Sequence, residues 1–255
     1  MFICRILEHS SDNTFLNLAL EQAILQLHPQ GPYDLTIRFW RNPKSVIVGR
    51  NQSVKDEVNT EYCKRNKIIV GRRISGGGTV YHDKGNLNLS FFIPKKVFFN
   101  PQSNMTEITE FFTDLIIKSL ENIGLTDLKR VKSSNIFYQG LKVSGSAEYH
   151  SQGYILHHAT LLLSANLLHL ENSLLVKDSY NKGKNKSMYF PTTNLPSFDL
   201  SLWKKGLFKI FEENWKCILK KKLFTQEEYE LGMKLTEKMY TQKSWIFDKK
   251  RIVIK

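Results

Sequence analysis

Apolar residues recur along this chain at two spacings. Over 12–27, DNTFLNLALEQAILQL, cap-type residues precede Leu16, Ala19, Leu20, Ala23 and Ile24 at helical spacing, which predicts a core-facing helix. The second strong helix falls over 105–123, where Ile108, Phe111, Phe112, Leu115 and Ile116 form one stripe. Between them, LTIRFW, SVIVGR and KIIVGR read as short strands after the break at Gly31-Pro32, with NTEYCKRN as a short helix before the third. TVYH and NLNLSFFI read as a hairpin joined through Asp83-Lys84-Gly85. In its second arm Leu87, Leu89 and Phe91 alternate with Asn86, Asn88 and Ser90, so one face is polar enough to line a site. NIFYQGLKVSGSAEYH and GYILHHATLLLS predict a meander, and 178–199 a long surface loop. Two helices near 200–221 and 225–240 and a hairpin through Asp248-Lys249 complete the reading.

With 255 residues and 41% apolar content, the chain can bury a sizeable core, and it reads as one main domain over 1–255. Met1 to Ser10 lack the pattern of a signal peptide, and no apolar run approaches a membrane span, so a soluble cytoplasmic protein is expected. Cys4, Cys63 and Cys217 are far apart, without metal-ligand spacing, and read as buried thiols. The net charge of +13 predicts an anionic partner. A nucleic acid is not expected, because no basic stripe with interleaved aromatics occurs; the KGKNK run and Lys220-Lys221-Lys222 read as solvated faces or as a docking surface for an acidic protein.

Three stretches carry candidate chemistry. In GRRISGGGTVYHDKGN, residues 71–86, three consecutive glycines suit a main chain that turns sharply or approaches a ligand, and Arg72 and Arg73 supply charged donors suited to phosphate or carboxylate. It is neither a P-loop nor a dinucleotide fingerprint, and a tight turn flanked by solvated arginines is the other reading. In GLKVSGSAEYH, small residues follow Lys142, whose ammonium could meet a negative reacting group while Ser144 and Ser146 hold the rest; a solvated strand lysine is the alternative. His157 and His158 are adjacent in a strand, so at most one faces a site and the two cannot share a metal. His82-Asp83 reads as a capping or turn pair. No nucleophile elbow occurs and no cysteine lies near either Gly-rich stretch, which favours charge stabilisation over covalent catalysis.

Taken in order, Asn17-Leu18-Ala19-Leu20-Glu21, VIVGRNQS, RRISGGGTVYHDKGNLNLSF, KVSGSA, HHATLLL and TTNL resemble the lipoate-protein ligase A family, within the group that includes biotin ligases and octanoyltransferases. The resemblance implies an α+β fold, a mixed β-sheet packed with helices and related to the class II synthetase catalytic core. It also implies ATP-dependent formation of lipoyl-AMP, with Mg2+ helping to neutralise charge, and then transfer to a lysine of a carrier. The carriers implied are the lipoyl domains of 2-oxoacid dehydrogenase E2 subunits and the glycine cleavage H protein. Residue by residue, Lys142 resembles the lysine that contacts the lipoyl carboxylate and the adenylate phosphate. Arg73, Gly78, Thr79, Val80 and Tyr81 match the ATP-contacting segment, with Gly76 and Gly77 shaping the loop. Ser144, His158 and Ala159 fall on the lipoate side. Which residues would hold the metal is left open by the resemblance.

Asn135 stands where the family usually has Asp, and the Lys-rich NKGKNKSMYFP replaces an Arg-containing loop. The match ends near SWIFDKK, where larger ligases continue into an accessory domain. The chain thus resembles the catalytic component of two-component ligases, and a small accessory protein is expected as partner. An octanoyltransferase using preformed activated acyl groups is the alternative, although it normally depends on a cysteine nucleophile.

Overall fold

The computed structural model describes residues 1–176, 186–250 and 252. Its first half contains β1 (Phe2–Glu8), α1 (Thr14–Leu27), β2 (Leu35–Trp40), β3 (Ser45–Val48), α2 (Val54–Glu57), α3 (Thr60–Arg65), β4 (Ile69–Arg72) and β5 (Val80–His82). There follow β6 (Asn86–Pro94), α4 (Lys95–Phe98), α5 (Met105–Glu121), β7 (Leu128–Val131), β8 (Asn135–Tyr138), β9 (Leu141–Ser151) and β10 (Tyr154–Leu162). The rest comprises α6 (Leu167–Ser173), α7 (Leu200–Trp215), β11 (Cys217–Lys221), α8 (Gln226–Leu235), a π-helical turn at Thr236–Tyr240 and α9 (Lys243–Ile246). The fold is α+β, as expected: a mixed eight-stranded sheet, ordered β11-β1-β2-β6-β10-β9-β8-β7, stands beside a three-stranded sheet, β4-β3-β5. No helix among the described residues is long and apolar enough to cross a membrane.

The alternation in β6 explains how the layers assemble. Leu87, Leu89, Phe91 and Ile93 join the core cluster with Phe112 of α5 and Trp203 and Phe211 of α7. Phe92 points to the opposite cluster, built on Leu18, Ala23 and Ile24 of α1. Asn86, Asn88 and Ser90 share that second face, so the sheet's polar row lies between it and α1 rather than in solvent. Asn13 caps α1 through Phe15 and Leu16 N–H, and an Asn104–Glu107 capping box starts α5. A buried bidentate pair between Arg5 and Glu228, at 2.8 and 2.6 Å, ties α8 to β1.

Four sequence expectations are corrected. β5 and β6 are not a hairpin: β5 pairs with β3 in the small sheet, whereas β6 lies between β2 and β10 in the large one. The intervening turn crosses close against Ser164, whose carbonyl oxygen would stand 2.1 Å from a Cβ on Gly85. Helix 200–221 stops at Trp215, because Lys216 adopts a left-handed φ of 50° and the chain leaves as β11, parallel to β1. The arm before Asp248 is the helical turn α9, and residues 251 and 253–255 lie outside the described residues. Of the loop 178–199, residues up to 185 lie outside the described residues; the rest is no plain surface loop, since Ser187 and Leu195 are buried.

On the α5 side of the sheet, Glu148 stands opposite His157 in register and accepts from His157 Nδ1, His150 Nε2 and Thr109 Oγ1, each at 3.0 Å. Burial alone would raise the carboxyl, but those hydrogen bonds outweigh it and hold the pKa at about 2, below its ordinary 4.5. The folded value is depressed, so the stabilisation is complete above about pH 4.5 and is lost as pH falls toward 2. Glu148→Gln is expected to cost roughly 2 kcal/mol at pH 7 in urea unfolding. The gap from wild type should close across that acid window.

Candidate functional site

Lys142 is placed by a β-bulge. In the β8–β9 pairing Ser144 stands opposite Ile136 and Lys142 opposite Phe137, so Val143 is an extra residue without a partner. The bulge aims the lysine over the same surface as Gly145: a Cβ on that glycine would stand 3.1 Å from Lys142 Nζ. The Lys142 backbone is held from the other side, donating to Pro191 O at 2.8 Å and accepting from Thr193 N at 3.0 Å. Its Nζ lies 5.4 Å from the Phe190 ring centroid, and no carboxylate pairs with it among the described residues. Burial lowers its pKa from 10.5 to about 8, so at neutral pH it remains a charged, poorly solvated ammonium.

Two cavities meet at this ammonium. The first, about 280 Å³, runs from Lys142, Asn135 and Gly145 past Gly77, Gly78 and Thr79 to Leu18, Glu21, Trp40 and Asn88. The second, about 240 Å³, also contains Lys142, Gly145, Thr79 and Val80, but extends between Tyr81, Ser144, Leu162, Leu167, Leu170 and Leu174. Residues 187, 188 and 190 roof both. One arm is therefore a slot ending on an indole and a carboxylate, the other a broader apolar chamber, and the cation stands where they join.

The glycine stretch links β4 to β5 at the edge of both arms. Only Gly77 of the three has a left-handed φ, 82°, and it packs against Ala147; Gly78 faces the Ser187 hydroxyl, and Gly76 lines neither cavity. Arg73 lines the first cavity, yet its donors are already committed. Nη2 donates to Gly76 O and Gly78 O at 2.5 and 2.7 Å, Nη1 to Ile47 O, and Nε to Ser75 Oγ. Arg72 is likewise spent on carbonyls. In this structure the two arginines shape the loop from inside rather than reach out as solvated donors.

A relay of hydrogen bonds fixes the far end of the slot. Arg73 Nε donates to Ser75 Oγ at 2.9 Å, Ser75 Oγ lies 2.7 Å from His158 Nε2, and His158 Nδ1 lies 3.2 Å from both Glu21 oxygens. The Glu21 carboxylate can only accept, so His158 donates to it through Nδ1, and the ring bridges that carboxylate to the Ser75 hydroxyl. Burial alone would raise the Glu21 carboxyl, but His158, Arg38 and Ser90 outweigh it and bring it below the usual range. Trp40 Nε1 donates to Ser90 Oγ at 2.9 Å, and Ser90 Oγ donates to Glu21 Oε1 at 2.6 Å, so the indole closing the slot is locked to the same carboxylate. His82 lines the slot as well; burial, then Arg73, lowers its pKa to about 3, leaving it neutral. Asp83 has the turn role expected, accepting from Gly85 N and Asn166 N.

All three cysteines are buried and none lines either cavity. Among the described residues no group of three His, Cys, Asp or Glu side chains is placed to hold a metal. Near the desolvated Lys142 ammonium the first cavity is lined by the Asn135 amide, the hydroxyls of Ser134, Ser146 and Thr160, and two further lysines on exposed positions, Lys132 and Lys186. That set suits an anionic reacting group that supplies its own electrophile.

Residues 13–199 match the lipoyl protein ligase A/B catalytic domain. The chain belongs to that family. Lipoate-protein ligase A subunit 1 of Thermoplasma acidophilum is 30% identical over 253 residues, 94% of each chain. Lipoate-protein ligase LplJ of Bacillus subtilis is 35% identical over 185 residues, 72% of this chain and 53% of the relative, so the chain spans about half of that protein. Among solved structures, a bi-partite lipoate protein ligase studied with its E2 lipoyl domain, also from T. acidophilum, matches with a TM-score of 0.84 at 26% identity over 100% of both chains. A lipoate-protein ligase A bound with ATP matches with a TM-score of 0.80 at 25% identity, over 96% of this chain and 98% of that one.

In this ligase fold, the residues singled out from sequence gather as two sets sharing Lys142. Arg73, Gly77, Gly78, His158 and Ala159 border the slot, Tyr81 and Ser144 the chamber, and Thr79 and Val80 both. Sequence reasoning missed Trp40, Ser187 and Phe190, and read Glu21 and Gln52 only as parts of family segments. A carboxylate among Leu18, Ala19, Leu20 and Ala23 on a buried helix face was the available signal for Glu21. For Ser187 there was none, because its partners lie more than 100 residues away.

Proposed function

We propose that this chain is the catalytic component of an ATP-dependent lipoate-protein ligase, acting as one domain over residues 1–255 in the cytoplasm. The observation that carries the reading is the junction of two cavities at Lys142: the slot ending on Trp40 takes the lipoyl chain, and the chamber behind Val80 and Tyr81 takes the adenosine part of ATP. Family membership supports it, as do relatives that bind ATP or act as one part of a bi-partite ligase.

The lipoate carboxylate and the ATP α-phosphate are both negative and repel one another unless a cation stands between them. Lys142 occupies that position. A carboxylate oxygen attacks the α-phosphorus, the bond to the β-phosphate bridging oxygen breaks, and pyrophosphate leaves. In the second half-reaction a carrier lysine amine attacks the carbonyl carbon, the C–O bond to AMP breaks, and Lys142 balances the charge on the departing phosphate. Thr79 N–H and Gly145 N–H, at the same place, are spent on Ser187 Oγ and Thr160 Oγ1, which they hold at the edge of the junction. Mg2+ fits as an ion brought by the triphosphate, since it retains water and phosphate ligands while the chamber adds the carboxylates of Glu57 and Glu171 and the slot side the Asn135 amide; bound there it would neutralise phosphate charge. The carriers are lipoyl domains of 2-oxoacid dehydrogenase E2 subunits and the glycine cleavage H protein. A net charge of +13 suits acidic domains of this kind by speeding encounter. The bi-partite relative supports a separate accessory protein as partner.

Pyrophosphate release from ATP and lipoate, measured with and without an accessory protein and followed by the mass of an added lipoyl domain, tests the proposal. Release together with a lipoyl mass increment is the expected result. Modification only from synthetic lipoyl-adenylate, and never from ATP with any accessory protein, would overturn the activation step.

A further inference from the structure

The roof over both cavities is latched by one side chain outside them. Gln52 is buried in the turn after β3, and its amide bonds through both its oxygen and its nitrogen. Oε1 accepts from Gly49 N at 3.0 Å and Thr79 Oγ1 at 2.8 Å, while Nε2 donates to Ser187 Oγ at 2.9 Å. Ser187 Oγ also accepts from Thr79 N at 2.8 Å, and Ser187 N donates to Glu57 Oε1 at 2.9 Å. The glycine loop and the roof therefore converge on a single amide, and α2 holds the roof from its other side through Glu57.

Behind it stands Arg72, fully buried and without a carboxylate partner among the described residues. Nη1 donates to the carbonyls of Gly49 and Gln52 at 2.7 and 2.8 Å. Nε reaches Trp245 O and Ile246 O at 2.9 Å, and Nη2 reaches Ile246 O at 2.6 Å. These last two carbonyls end α9, where helical carbonyls have no partner of their own. Trp245 Nε1 returns a hydrogen bond to Arg72 O at 3.0 Å. One guanidinium thus clamps the backbone under Gln52 to a helix nearly 200 residues away in sequence.

We propose that Gln52 is a positioning residue for nucleotide use, holding Ser187 and Thr79 in the arrangement that encloses the phosphates, and that Arg72 passes the position of α9 to it. This rests on the ligase reading for the identity of the nucleotide. Displacement or docking of the segment that carries α9 then changes how ATP is held, whereas the deep slot for the acyl acid, built on α1, β2, β6 and β10, is left as it is.

The experiment compares Gln52→Leu with wild type in the presence of whatever accessory protein supports turnover. KM for ATP is expected to rise about tenfold and KM for lipoate to change less than twofold. In a Ser187→Ala background, Gln52→Leu should add less than it costs alone, because the bond between Gln52 and the roof is already gone and only those to Gly49 N and Thr79 Oγ1 remain to be lost. Trp245→Phe, which keeps the ring and loses the bond to Arg72 O, should raise KM for ATP about threefold, and melting curves of each variant report folding separately. Equal rises in both KM values, additive effects with Ser187→Ala, or tighter ATP binding in Gln52→Leu would each overturn the proposal. Calorimetric ATP binding without turnover separates the two readings: a wild type that fails to bind ATP sinks the ligase reading, whereas a variant that binds as tightly as wild type sinks only this one.

Discussion

Lys142→Ala is expected to lower pyrophosphate release and transfer from lipoyl-adenylate by at least about 1000-fold, roughly 4 kcal/mol of lost charge stabilisation. The variant should remain folded, with its melting midpoint unchanged or raised, because the ammonium is desolvated with no carboxylate partner among the described residues and contributes nothing to stability at neutral pH. Wild type gives the complementary test through pH. The ammonium of free enzyme loses its proton near pH 8, well below its ordinary 10.5, so kcat/KM should fall as pH rises through that value. Bound phosphate favours the charged form, so the same limb in kcat should lie at higher pH. A kcat/KM flat from pH 7 to pH 10 would mean that this amine does not act as a cation in the reaction.

How much of this was legible in the sequence follows from the range of the interactions. α1 and α5 were read to within two residues because their stripes and caps are local. β2 to β6 and β8 to β10 were found as strands, β1 and β7 were not, and β5 and β6 were joined wrongly, since Asp83-Lys84-Gly85 forms the turn expected and only the partners beyond it decide which sheet each arm enters. β11 was read as helix because CILKKK continues the apolar and basic pattern of α7; the left-handed Lys216 that ends it carries no glycine to mark it. For the site, KVSGSA drew attention to Lys142, and the polar row Asn86, Asn88, Ser90 indicated a buried polar face. The bulge at Val143, the roof at Ser187 and the Gln52 latch depend on contacts between distant segments, which no local pattern encodes. The arginines illustrate the same limit: composition gave their charge, but their carbonyl partners came only with the fold.

Gly49→Ala should be the most damaging single methyl in the molecule for activity. A Cβ at this position would stand 2.2 Å from Gly77 O and 3.2 Å from Gln52 Oε1. The first contact is with backbone, so no side-chain rotation relieves it, and the glycine loop must retreat by about 1 Å to reach ordinary contact distance. Gly77 already holds a left-handed φ of 82° against Arg73 and Ala147, which leaves it little room to move. Displacement on that scale at a reacting centre costs about 100-fold in rate. The strain of an overpacked site adds a stability loss of about 1–3 kcal/mol. Gly76→Ala is the matched control: nothing lies within 4 Å of its Cβ, and it borders neither cavity, so turnover should stay within a few-fold of wild type. Pyrophosphate release and urea unfolding on both variants distinguish the outcomes. A Gly49→Ala enzyme with wild-type turnover would mean that the close packing of this turn on the glycine loop does not set the geometry of the site. If Gly76→Ala fell as far as Gly49→Ala, the triplet would act at its first glycine, through direct approach to the nucleotide rather than through its seat on the β3 turn.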